Sequence, residues 1–74
     1  MEKLDEFFNN THNGKQKALF EKFVIINYTD EMLNRFRYYF NENGQIEIGL
    51  KHGITISPHQ ENPIKSKFKD LFPR

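Results

Sequence analysis

The chain has 74 residues, 36% of them hydrophobic, and its 11 basic and 10 acidic side chains leave a net charge of +1. Leu, Ile, Val and Phe together number 21, above the roughly one-fifth level below which a chain is too poor in core formers to fold, so a single domain over 1–74 is expected, near the lower limit of a self-sufficient core. Zero cysteines exclude disulfides, thiolate metal sites and thiol nucleophiles.

No run of about 18 apolar residues is present to span a membrane, and the acidic start MEKLDEFF lacks the pattern of an export signal. A cytoplasmic location is therefore expected.

Residues 2–10 fit a short helix, with Leu4, Phe7 and Phe8 at helical spacing and acidic residues where the positive end of the helix dipole favours them. So short a helix must dock or fray. Asn13-Gly14 reads as a turn pair, because glycine takes positive φ freely and asparagine tolerates it. Residues 15–27 follow as a helix of good formers in which Leu19, Phe20, Phe23, Ile26 and Asn27 make one stripe. The β-branched and aromatic run over 23–28 keeps a strand there as an alternative, since a short apolar run cannot be settled by periodicity.

Thr29 is a good N-cap for a helix over 30–42. Met32, Leu33, Phe36, Tyr39 and Phe40 then recur every 3–4 residues, and Gly44 would close the helix. Residues 45–57 read as a hairpin. Ile46, Ile48 and Leu50 alternate with polar residues and glycine, as do Ile54 and Ile56 across a Lys51-His52-Gly53 turn. That register pairs Leu50 with Ile54 and Ile48 with Ile56, and the aliphatic face so formed needs a cover. A last helix over 63–72 has Asn62 as cap, Pro63 in its first position and Ile64, Phe68, Leu71 and Phe72 on one side. The expected architecture is α+β, in the order α-α-α-β-β-α, with helices packed on one face of a two-stranded antiparallel hairpin.

Chemistry is sparse in this pattern. His12, His52 and His59 fall in expected loops without metal-ligand spacing, and neither Ser57 nor Ser66 has the context of an activated nucleophile. The candidate carboxylate pairs, from Asp30 and Glu31 or from Glu2, Asp5 and Glu6, lie in helix first turns, where the dipole accounts for them. The four glycines form neither G-x-G-x-x-G nor a P-loop. No catalytic residue, metal, cofactor or small-molecule substrate is therefore expected, and the chain reads as a binding or regulatory module instead of an enzyme.

One surface stands out. On a helix over 30–42, Arg35, Arg37 and Tyr38 lie off the apolar stripe, and Arg and Tyr are enriched at interface hot spots. With Lys65 and Lys69 of the last helix they form the expected contact surface for a protein partner or for a second copy in a homodimer. The alternative is nucleic acid. The element order resembles a winged helix-turn-helix, and that resemblance implies base contacts from Asn34, Arg35 and Arg37, with Lys51, His52, Lys65, Lys67 and Lys69 on the backbone. Against it stand Asp30 and Glu31 at the start of the recognition helix and a calculated pI of only 8.0.

Overall fold

The computed structural model describes residues 3–73. Along the chain come α1 (Lys3–Asn9), α2 (Thr11–Asn27), α3 (Asp30–Asn34), β1 (Phe36–Phe40), β2 (Ile46–Leu50) and α4 (Pro58–Leu71). The α+β class and the order α-α-α-β-β-α hold. Which residues build the hairpin does not.

The break between the first two helices falls at Asn10, not at Asn13-Gly14. The Asn10 side chain accepts the Asn13 backbone N–H at 3.2 Å, and the Asn13 amide donates to the Phe7 carbonyl at 3.0 Å. Gly14 therefore sits inside α2, and its role is close approach. A Cβ there would lie 2.9 Å from the Phe8 carbonyl oxygen, so only glycine lets α1 fold back this tightly. Of the expected helix over 2–10, position 2 lies outside the described residues. Phe7 and Phe8 dock α1 by edge contacts, Phe7 on Phe40 (ring centroids 5.6 Å apart) and Phe8 on Tyr38 (5.1 Å). The 23–27 stretch is helical, which removes the alternative strand.

Thr29 caps α3 as expected, its hydroxyl accepting the Met32 N–H at 3.0 Å. The helix then stops after five residues. From Phe36 the chain is a strand, pairing antiparallel with β2 in the register Phe36 with Leu50, Tyr38 with Ile48 and Phe40 with Ile46. Aromatic residues favour a pleated, half-buried surface. With period two, Phe36, Tyr38 and Phe40 share one face, leaving Arg37 and Tyr39 on the other. The expected helix over 30–42 is thus replaced by a short helix and a strand, because the aliphatic alternation of 46–50 offers these aromatics a cross-strand partner.

The hairpin turn is Asn41–Gln45. The Asn41 side chain accepts the N–H groups of Asn43 (2.9 Å) and Gln45 (3.0 Å), and Gly44 takes a φ of +75°. Gly44 does adopt positive φ, but it closes a turn between strands and not a helix end. Lys51-His52-Gly53 also turns the chain, with Gly53 at +79° and the Ile54 N–H donating to the Lys51 carbonyl at 3.0 Å. Residues 54–57 then leave the sheet. The predicted pairing of Leu50 with Ile54 and Ile48 with Ile56 is not made: Ile46 and Ile48 are buried, Leu50 and Ile56 pack at the margin, and Ile54 is exposed. The strand that would have taken Ile54 and Ile56 is supplied by β1.

α4 begins five residues earlier than predicted. Ser57, not Asn62, is its cap, with the hydroxyl accepting the His59 N–H at 3.2 Å and Pro58 in the first turn. Pro63 lies within the helix and removes the bond to the His59 carbonyl. The apolar spacing of α4 is as read: Ile64, Phe68 and Phe72 are buried against Phe20 and Val24 of α2, Met32 of α3 and the sheet residues Phe36, Ile46 and Ile48. Phe68 is the hub, edge-on to Phe20 (5.2 Å) and stacked on Phe72 (4.8 Å). No helix among the described residues is long and apolar enough to cross a membrane.

Candidate functional site

The residues expected to form one contact surface are dispersed by the strand at 36–40. Period-two alternation sends Arg37 and Tyr38 to opposite faces of the sheet. Tyr38 turns inward, packing on Phe8, Phe20 and Phe68 and donating its hydroxyl to Glu21 at 2.7 Å. Burial, then the hydrogen bond and the negative charge of Glu21, push its phenol well above the ordinary tyrosine value. Its ring and its hydroxyl are both engaged within the fold.

Arg35 is half-buried at the end of α3, where its carbonyl accepts the Lys51 N–H at 2.9 Å. Arg37 is exposed on the outer sheet face, its guanidinium 4.8 Å from the Tyr39 ring centre. Tyr39 in turn lies across Gly49, where a Cβ would meet its ring at 3.1 Å. Lys65 and Lys69 do come together, bordering a recess of about 270 Å³ with Tyr39, Glu47, Ile48 and Phe68. Lys65 is held by Glu61 at 2.8 Å, one helical turn back.

The geometry of the nucleic-acid alternative is not present either. A five-residue α3 cannot present Asn34, Arg35 and Arg37 together as a recognition helix does. Lys51 and His52 are exposed at a turn that is not the hairpin tip, although Lys51 and Asn34 border one recess of about 190 Å³. Lys67 faces away from Lys65 and Lys69, with its ammonium 5.4 Å from the Phe23 ring centre. Among the described residues no three His, Asp or Glu side chains converge as metal ligands would.

A different surface emerges on α2. Of the expected stripe, Phe20 is buried and Phe23 packs at the margin of the core, but Leu19, Ile26 and Asn27 face solvent. The helix is rotated so that Phe20 and Val24 are fully buried, while Leu19 is 51% and Ile26 68% exposed. The rotation follows from the flank of α2. Glu21 must reach the Tyr38 hydroxyl, and Lys17 lies over the rings of Phe8 (4.9 Å) and Tyr38 (5.5 Å). The Gln16 amide ties the same helix to the end of α4 through the Leu71 carbonyl (2.8 Å).

With those groups facing inward and sideways, Leu19, Phe23 and Ile26 line a shallow groove of about 250 Å³ together with Lys22, Asn27, and Lys67 and Leu71 of α4. Positions 19, 23 and 26 are one turn apart, so they form a continuous ridge. Lys15 lies a turn before Leu19 on the same side and is exposed. A readable signal existed for this face. Leu19, Phe23 and Ile26 cannot all enter the core with Phe20 and Val24, because the two sets lie about 100° apart around the helix.

Comparison with protein families, with curated proteins and with solved structures finds no match to this chain.

Proposed function

We propose that this protein is a non-catalytic binding module that acts through protein–protein contacts, with the groove between α2 and α4 as its contact surface and an amphipathic helix of the partner as its occupant. One observation carries the reading: Leu19 in the middle of α2 and Ile26 in its last turn, both large aliphatic residues, are more than half exposed and line one groove with Phe23 and Leu71. Scattered exposed apolar residues need no explanation, but a contiguous apolar patch with a polar rim marks interaction sites. The one-turn spacing of Leu19, Phe23 and Ile26 along α2 matches the apolar anchors that a helix presents at i, i+3 or i+4, and i+7. The rim supports it as well, since Lys22, Lys67 and Asn27 border the apolar floor as polar residues border an interface core.

This reading relocates the working surface from Arg35, Arg37 and Tyr38 to α2. The test is fluorescence anisotropy of a labelled amphipathic helical peptide with leucines at i, i+3 and i+7, titrated with the full chain. The expected result is saturable binding that Leu19→Gln with Ile26→Gln removes while far-UV circular dichroism stays unchanged. Binding of equal strength by that variant, or none by the native chain, would contradict the assignment.

A further inference from the structure

We infer that the partner's helix is acidic along both edges of its apolar stripe. This rests on the reading just given and specifies the chemistry of the same groove. Cations occupy both banks. Lys22 and Lys15 flank Leu19 and Ile26 on the α2 side, and Lys67 stands on the α4 side over the Phe23 ring. None of the residues lining the groove is acidic. Among the described residues, none of these three lysines is within ion-pair distance of a carboxylate, in contrast to Lys65, which has Glu61.

A helix laid in the groove strips water from the ammonium groups beside it, and a charge losing water without a counter-charge opposes binding. Carboxylates placed at the edges of the incoming helix answer both banks at once, and complementary charge also steers the encounter.

Two other occupants fit less well. In a homodimer the same patch would meet itself across a two-fold axis, and a rim without acids would then set lysine against lysine. An anionic lipid surface offers the charge, but the apolar residues here follow the seam between two helices and are not spread over one helix face. The chain's net charge of only +1 also gives little long-range pull toward such a surface.

The experiment uses the full chain and three labelled peptides with one apolar stripe, flanked by Glu, by Gln or by Lys. The Glu peptide is expected to bind about tenfold tighter than the Gln peptide, the Lys peptide weakest, and the spread to shrink in molar salt, where the screening length falls to about 3 Å. Lys22→Glu with Lys67→Glu should invert the ranking. Should that variant lose its helical circular dichroism, Lys15→Glu with Lys22→Glu, both at exposed positions, must produce the same inversion. Equal affinity for the Glu and Gln peptides overturns the acidic partner but leaves the groove as a docking site. No binding of any peptide overturns both readings. Capture on vesicles of anionic phospholipid without peptide binding overturns both in favour of a lipid surface, and a dimer in light scattering that Lys22→Glu strengthens overturns the acidic partner in favour of a second copy.

Discussion

α2 and α4 are the two long helices of the molecule, and they distribute their apolar residues differently. In α4, Ile64 and Phe68, continued by Phe72 just beyond the helix, lie on one side and are buried. The rest of that helix is polar, apart from Leu71 at the margin and the two prolines of its first turns. In α2, Phe20 and Val24 are buried, yet Leu19, Ile25 and Ile26 remain exposed on other sides. One helix is amphipathic in the ordinary sense, with its apolar face used up by the core. The other has apolar residues beyond what the core takes, and those at 19, 23 and 26 meet Leu71 to make a second apolar surface. The difference separates residues that hold the fold from residues left for something else.

Substitutions can break or sharpen that contrast. The largest effect is expected at the hub of α4. Phe68→Ala removes ring contacts with Phe20, Tyr38 and Phe72 and should cost about 3–5 kcal/mol, most of the stability of a domain this small, read by urea denaturation. Next comes Gly14→Ala. Alanine is the better helix former by about 1 kcal/mol, but its methyl group would press on the Phe8 carbonyl at 2.9 Å. A net loss of about 1–2 kcal/mol is expected because backbone must shift to relieve the overlap, together with faster amide hydrogen exchange in α1.

Tyr38→Phe should cost about 1 kcal/mol, the worth of a hydrogen bond to a partly exposed carboxylate. Its signature is a pH dependence. The folded phenol titrates above its unfolded value of 10.0, so the unfolded state loses the proton first and stability falls as pH rises beyond about 10. Below that, both states hold the proton and this group contributes no slope. Alkaline denaturation followed in parallel should show the native chain losing stability across that range more steeply than the variant. The smallest effects belong to the open stripe: Leu19→Gln and Ile26→Gln should each change stability by no more than about 0.5 kcal/mol. A larger loss at either would mean that the stripe supports the fold and is not free for a partner.

Much of the fold is legible in the residues. The helical formers of 15–22, the Thr29 cap, the alternation at Ile46, Ile48 and Leu50, and the apolar spacing of Ile64, Phe68 and Phe72 are each local patterns with one reading. The run Phe36-Arg37-Tyr38-Tyr39-Phe40 has two. Phe36, Tyr39 and Phe40 satisfy a helix, and Phe36, Tyr38 and Phe40 satisfy a strand, so the decision belongs to a partner ten residues further on.

That single ambiguity displaced the hairpin by one strand and dispersed the expected Arg35–Arg37–Tyr38 surface. The groove on α2 was legible only in part. A stripe of Leu19, Phe23 and Ile26 looks the same in sequence whether it faces a core or a partner, and only the Tyr38–Glu21 bond and the burial of Phe20 and Val24 orient it.

The most direct measurement is an NMR titration of the isotope-labelled full chain with the Glu-flanked peptide. Amide shifts should concentrate at Leu19, Lys22, Phe23, Ile26, Lys67 and Leu71 and leave Arg37, Tyr39 and Gly49 in place. Shifts confined to the outer sheet face, with the α2 stripe unmoved, would contradict the account.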